Sequence, residues 1–458
     1  MGTVYQAPPH LPQHLKVTIQ DSCLIYSPQE NEQKNMFLSN IDQVLNFDVQ
    51  TIHFFNPNPE FPPKIVFEKL KNALQKLLVP YYFLPGRIKV NTETGRIEVD
   101  CKNAGIGFVV ASCEYTLDEL GDLVYPNPAF EELLTKELDA TLGVEGHPLC
   151  IVQMTAFKCG GFAMGLQTNH AIFDGTSIKY LLQNLAALAD DKPLPIVPCN
   201  DRELLAARDP PRVTFPHPEL LKLKIPIGQE GEGEQNPTIF DTTPQDLDFK
   251  IFSLSENDIF DLKAKAKAGP TNGKGKVTGF NVISALVWRC KALSNSENDE
   301  NNLSERSSTM LFAVDIRGKL NPPLPTSFAG NAVLTAYAMA DCKKLEEAPL
   351  SELVDLVTEG APRMNDEYAR SAIDWGELYK GFPNGEFLMS SWWRLGFNQV
   401  EYPWGKPKYC CPLVYHRKDI ILLFPDINES NAGVNVLVAL PHKEMAKFES
   451  LFYKFLSS

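Results

Sequence analysis

Apolar residues recur along this chain at two spacings. At Val66, Phe67, Leu70, Leu74, Leu77 and Leu78 they return every three or four positions, which predicts an amphipathic helix over 66–78. A second stripe, Phe280, Val282, Ile283, Leu286 and Val287, follows Thr278, a residue suited to cap a helix N-terminus. Further helices are predicted over 345–364 and 443–456. Strands are predicted over 97–101, 150–157, 161–167, 310–316, 420–424 and 435–440, where β-prone or alternating runs lie between turn residues. Both kinds of pattern alternate in each half of the chain. That predicts a mixed α/β protein.

The two halves are separated by a proline-rich stretch. Pro195, Pro198, Pro210, Pro211, Pro216 and Pro218 fall in it, followed by an acidic, glycine-rich run over 228–233. Proline lacks a backbone donor and fixes φ, so neither a long helix nor a central strand is expected there. About fifty residues exceed an ordinary connection inside a domain. The expected division is therefore a first domain over 1–192, a crossover linker over 193–244 and a second domain over 245–458. Polar loops are expected over 269–275 and 294–308, and no internal repeat is visible.

Composition narrows the partners. The 458 residues include 43 basic and 57 acidic side chains, a formal net charge of −14, with 44% hydrophobic and 22% charged residues. Those fractions belong to a folded, soluble protein, and the acidic balance argues against nucleic acid or an anionic membrane as partner. An anionic ligand would need positive charge supplied locally. Ten cysteines form no C-x-x-C pair, and reduced thiols are expected. The N-terminus shows no signal pattern, and Gln6 stands where N-myristoylation wants Ser or Thr. Apolar runs such as 420–424 and 434–440 fall far short of the ~20 residues of a membrane span. A cytoplasmic protein without a membrane span is the expectation.

Candidate chemistry centres on one histidine. The chain contains no G-x-S-x-G, no P-loop motif, no H-E-x-x-H and no G-x-G-x-x-G after a strand, and its eight histidines are too scattered to suggest a metal site. His170 ends the strand-like run GFAMGLQTNH, and AIFDG leads from it into a helical pattern through Ile178, Leu181, Leu182 and Leu185. His170 and Asp174 thus share a strand-to-helix turn, a place where rigid elements position side chains. A neutral imidazole there can take a proton from a hydroxyl or amine. Asp174 can cap the helix or bind a basic residue. Chance alone yields about half an H-x-x-x-D in a chain with this many histidines. Placement, not the motif, carries the argument.

Two further constellations stand out. Residues 390–409, SSWWRLGFNQVEYPWGKPKY, make a dense aromatic turn around Glu401, Tyr402, Pro403, Trp404 and Gly405. Read blandly, it is a loop pinned by a core Trp404, although an indole N–H can also donate to a substrate oxygen. Residues 312–331, FAVDIRGKLNPPLPTSFAGN, place Asp315 and Arg317 as a candidate ion pair and end at Asn331. The bland alternative is a strand followed by a tight loop.

Together these pieces resemble the BAHD family of plant acyl-CoA-dependent acyltransferases. NHAIFDG is similar to the family's H-x-x-x-D-G, and EYPWG to its D-F-G-W-G, with Leu84-Pro85-Gly86-Arg87, Val287-Trp288-Arg289-Cys290 and the DIRGKLNPPLP block between and around them. The opening MFLSNIDQVL and the crossover sequence resemble the branch of ω-hydroxypalmitate O-feruloyl transferases. The resemblance implies two similar chloramphenicol-acetyltransferase-like domains, with mixed β-sheets flanked by helices, and an active-site channel between them. It implies acyl-CoA as co-substrate, no permanently bound cofactor or metal, and a monomer.

The resemblance also assigns roles. His170 would be the general base and Trp392 the oxyanion donor, with Ser390 near the acceptor. Thr278, Lys274, Lys276 and Asn331 would contact CoA, the lysines through its phosphates. Asp174 would pair with an arginine, Arg289 first among them, while Arg317 would meet Glu401, and Trp404 and Gly405 would shape the supporting loop. Glu401 and Pro403 depart from the family pattern, and proline forbids positive φ at 403, so the loop must be built differently. The acceptor stays open between alcohol and amine; no acidic cluster near His170 in the sequence points to a polycationic amine. A relative that keeps the fold but acts as a non-catalytic partner of lipid-elongation or other biosynthetic enzymes is the alternative.

Overall fold

The computed structural model describes residues 3–4, 12–30, 35–136, 138, 142–222, 246–269, 276–295, 306–413, 417–427 and 433–457. The first half contains β1 (Thr3–Val4), β2 (Val17–Ile25), β3 (Asn35–Met36), β4 (Asp48–Phe55), α1 (Pro63–Leu77), β5 (Arg87–Val90), β6 (Ile97–Asp100), β7 (Ile106–Cys113), β8 (Cys150–Ala156), β9 (Phe162–Asn169) and α2 (Gly175–Ala189). After the crossover, which holds β10 (Leu220–Leu221), come β11 (Asp248–Leu254), α3 (Glu256–Ala268), α4 (Gly279–Ser294), β12 (Ser307–Asp315) and β13 (Val333–Asp341). The chain closes with α5 (Cys342–Glu347), α6 (Leu350–Arg363), α7 (Asp366–Tyr379), β14 (Phe382–Pro383), β15 (Phe387–Ser391), β16 (Tyr409–Pro412), β17 (Ile420–Pro425), β18 (Val434–Leu440) and α8 (His442–Ser457).

Local sequence explains most of these boundaries. α1 starts at Pro63, whose missing N–H costs nothing in a first turn, and it buries Val66, Phe67, Leu70, Leu74 and Leu77. Thr278 caps α4, its hydroxyl accepting from the Asn281 N–H at 3.2 Å. The single helix expected over 345–364 is two, α5 and α6. Pro349 pushes Ala348 into an extended conformation (ψ 149°), which ends α5, and then itself caps α6.

Two mixed sheets organise the molecule. One runs β16-β4-β9-β8-β7-β2 and the other β1-β11-β18-β17-β15-β12-β13. Parallel pairs occur in both, β7 with β8 in the first and β15 with β12 and β17 in the second. Each sheet takes an edge strand from the opposite end of the chain. β16 lies antiparallel to β4, and β1 antiparallel to β11, which covers edges that would otherwise offer unpaired backbone groups. Helices pack on the outer faces over two apolar cores, one around Trp288 and one around Tyr81, Phe83 and Phe162. A third core lies where the sheets meet, joining Ile52, Phe54 and Phe130 to Tyr409, Leu422 and Leu437.

The described part of the crossover, 193–222, packs against both halves. Asn200 Nδ2 donates to the Pro80 carbonyl at 2.8 Å, and Arg208 Nε to Asp374 at 2.6 Å. The glycine-rich run over 228–233, Lys274 and most of the two polar loops lie outside the described residues.

Candidate active site

β9 ends at Asn169 and α2 begins at Gly175, so His170 and Asp174 occupy the strand-to-helix turn expected from the sequence. The His170 N–H donates to the Phe47 carbonyl at 2.8 Å. Its carbonyl accepts from Asn331 Nδ2 at 2.8 Å, and the same nitrogen reaches Asp42 Oδ1 at 2.8 Å. The backbone of the histidine is therefore clamped from both sides. Nδ1 is buried without a well-formed hydrogen bond. Burial holds the imidazole below its ordinary pKa, with its own carbonyl, Asp174 and Asn331 partly opposing this. A pKa lowered by burial favours the neutral form of the ring.

Asp174 does two jobs. One oxygen caps α2 by accepting from the Ser177 N–H at 2.9 Å, and the other accepts from the Ala332 N–H at 3.0 Å. Its charge meets Arg317 at 2.9 Å, and both groups are buried. The pairing expected with Arg289 does not occur. Arg289 lies on α4, donates to the Ala348 carbonyl and sits over the Phe455 ring. Arg317 is selected because its planar fork reaches several acceptors at once: Asp174, Asp315 at 3.1 Å, Gly330 O at 2.9 Å and Ser177 Oγ at 3.1 Å.

A second arginine, from the crossover, completes the frame. Arg202 is buried, and its Nη2 donates to Ile172 O at 2.9 Å and Ala329 O at 2.7 Å. It thereby ties the His170 turn to the block ending at Asn331. Its charge also faces Asp42, whose carboxyl burial pushes above the usual range while Arg202, Asn331 and Ser39 pull it back. Gly330 is required here, because a Cβ would stand 2.1 Å from Arg202 Nη1. Arg202 and Asp42 give no local sign in the sequence. Both lie in segments without regular periodicity, and only the fold brings them beneath the histidine.

His170 borders two cavities. The larger, a cleft of about 930 Å³ that includes open solvent, is lined by Ser390 and Asn331 and by apolar walls from Leu45, Leu334 and Leu388. The other, of about 430 Å³, is bounded by Trp392, Thr51, Thr168 and Phe397. Ser390, on β15, and Trp392, just beyond it, therefore line different cavities, each of which also touches His170.

The remaining expected site residues take other places. Thr278 caps α4, beside Trp393, which packs on Gly279, and Lys276 is exposed. Asn331 is held behind the histidine by its bonds to Asp42 and His170. Glu401 does not reach Arg317; it is exposed and pairs with Lys406 at 3.3 Å. The extra methylene and the surface position of this loop leave the arginine to Asp174 and Asp315. Trp404 is buried and stacks on Tyr402 at 5.2 Å, and the positive φ of the turn falls on Gly405 (110°). Proline at 403 is accommodated because glycine at 405 supplies the left-handed step. Among the described residues, no group of three or more His, Cys, Asp or Glu is placed to hold a metal ion, and no helix is long and apolar enough to cross a membrane.

The fold is shared with solved structures. That of vinorine synthase superposes with a TM-score of 0.71 at 23% identity, covering 95% of this chain and 98% of that one. Fusarium graminearum TRI101, solved with coenzyme A and T-2 mycotoxin, gives 0.75 at 14% identity, covering 91% of this chain and 97% of that one. These likenesses establish the fold, two mixed sheets flanked by helices. The sequence model of the Transferase family matches residues 15–455, and the chain belongs to this family, the BAHD acyltransferases. It is 60% identical to acyltransferase GLAUCE of Arabidopsis thaliana, over 99% of both chains. It is 32% identical to the omega-hydroxypalmitate O-feruloyl transferase of the same plant, over 96% of this chain and 93% of that one.

Proposed function

We propose that the protein transfers an acyl group from acyl-CoA to a hydroxyl, or an amine, of a small specialised-metabolite or lipid-like acceptor, with His170 as general base. The observation that carries this reading is the position of His170, which borders two cavities at once while burial lowers its pKa. One substrate can approach from each side. Nε2 takes the proton of the acceptor hydroxyl, and the oxygen attacks the thioester carbonyl. The tetrahedral oxyanion needs a preorganised donor, a role that fits the Trp392 indole on the wall of the smaller cavity. Collapse breaks the C–S bond, and the CoA thiolate recovers the proton from His170. Ester and free CoA thiol leave, with no acyl-enzyme formed.

Substrate class follows from relatives and cavity together. Relatives carry the names omega-hydroxypalmitate O-feruloyl transferase and fatty alcohol:caffeoyl-CoA acyltransferase, the latter 30% identical over 95% of this chain and 98% of that one. An aromatic acyl-CoA and a long apolar alcohol suit a cavity walled by leucines, with Ser390 beside the reacting group. Lys276 and the N-terminus of α4 at Thr278 offer local positive character for CoA phosphates on an acidic protein. A thiol-release assay with hydroxycinnamoyl-CoA and long-chain alcohols tests the reading. His170→Ala is expected to abolish release while circular dichroism and the melting profile stay those of the parent. Undiminished turnover in that variant would show that His170 is not the base.

A further inference from the structure

A buried carboxylate also lines the larger cavity. Glu219, from the crossover just before β10, borders it and is only 1% exposed. Its Oε1 receives the Tyr368 hydroxyl at 2.8 Å and faces His217 Nδ1 at 2.9 Å. Its Oε2 is buried and has no partner. Among the described residues, no lysine or arginine stands at ion-pair distance from it; its ion-pair neighbour is His217.

Hydrogen bonding determines where the protons lie. Ser371 Oγ accepts the backbone N–H groups of Thr214 at 2.9 Å and Phe215 at 3.3 Å. With its lone pairs occupied, its own proton goes to His217 Nε2 at 2.8 Å. His217 then carries its proton on Nδ1 and donates it to Glu219. Tyr368 also remains a donor, because burial and the neighbouring carboxylate push its hydroxyl above the usual range. Both donors converge on a single carboxylate oxygen. Holding His217 and Tyr368 needs that one oxygen alone, yet the second is left in a site where an unmade bond is costly.

We infer that Glu219 is a specificity-determining residue, whose free oxygen recognises a hydrogen-bond donor carried by the substrate apart from the group being acylated. The apolar walls of the cavity accept a hydrocarbon or aromatic body, and His170 and Glu219 each meet a polar group. The donor is a hydroxyl or an amine. It belongs either to the acyl group, as a ring hydroxyl, or to the acceptor, as a second hydroxyl. The inference rests on the acyl-transfer reading for the reaction, but not for the recognition.

The test compares matched substrates on the whole protein. One arm sets p-coumaroyl-CoA against cinnamoyl-CoA, the other 1,8-octanediol against 1-octanol, with kcat/KM read by thiol release. Binding is read in parallel from the fluorescence of Trp375, which lines the same cavity. In one arm the parent is expected to prefer the donor-bearing member by about tenfold or more, the scale of a hydrogen bond to a charged group. The arm that shows the preference identifies its source. Glu219→Gln replaces the free acceptor with a donor while keeping an oxygen for Tyr368 and His217, so the preference should collapse towards unity. The substrate lacking the donor should react as before, within about threefold. A parent with no preference in either arm overturns the inference, and needs no variant to show it. An unchanged preference in Glu219→Gln overturns it equally. If no acyl-CoA releases thiol, the acyl-transfer reading falls, and the binding arm still decides the role of Glu219.

Discussion

Arg317→Lys is the most direct probe of how the active turn is held. The arginine is buried and reaches Asp174 at 2.9 Å, Asp315 at 3.1 Å, Gly330 O at 2.9 Å and Ser177 Oγ at 3.1 Å. A lysine keeps the charge but has one nitrogen and three donors, and cannot span two carboxylates and a carbonyl at once. At least one charge-assisted bond is lost and one buried carbonyl is left unpaired, together about 3 kcal/mol. That corresponds to about a hundredfold in an equilibrium constant. A chain of this size does not unfold as one two-state unit, so the effect is best read locally by hydrogen exchange. Exchange of the Ser177 and Ala332 amides, both held by Asp174, should quicken about a hundredfold. Amides of α8 should be unaffected. The kcat of thiol release should drop at least tenfold, while the low-pH limb of the rate profile, set by the imidazole itself, stays in place. Protection within about threefold of the parent would refute the latch.

Two further outcomes follow from burial and close approach. His53 is buried between Thr51 and Cys410, and burial lowers its pKa from 6.5 to about 4. Below pH 6.5 the unfolded chain takes up a proton that the folded chain refuses, so stability falls as pH drops from 6.5 towards 4, by up to about 3 kcal/mol; His53→Gln should flatten the change in melting temperature between pH 7 and pH 4.5, and an unchanged slope would exclude this histidine as its source. Gly330→Ala places a Cβ 2.1 Å from Arg202 and forces the guanidinium off the Ile172 and Ala329 carbonyls. A loss of about 2–3 kcal/mol is expected, seen as a lower melting temperature and reduced turnover, and a variant indistinguishable from the parent would show that Arg202 can move freely.

What the sequence made legible was local. The His170 turn was readable because alternation before it, periodicity after it and an N-capping Asp174 are all written within about twenty residues. α1, α4 and α8 were readable for the same reason, whereas the break between α5 and α6 turned on Pro349, which a periodicity reading passes over. The motif pieces also identified the family, since their order spans nearly the whole chain. The partner of Asp174 was not legible. Arg289 and Arg317 are equally basic, and only the return of β12 beside the start of α2 gives the bond to Arg317, while α4 carries Arg289 towards Phe455.

By itself, then, the sequence determined the candidate histidine, its rigid turn and the alternation of helices and strands, because each depends on neighbours in the chain. The tertiary structure decided which charges meet. It brought Arg202 from the crossover beneath the histidine, carried β16 across to the first sheet, and set Glu219 on the wall of a cavity that His170 also lines. The sequence shows no acidic cluster near the histidine, yet folding lines its cavity with a buried carboxylate. Burial makes that difference: a charge acts strongly only where water is excluded, and exclusion is a property of packing between distant segments.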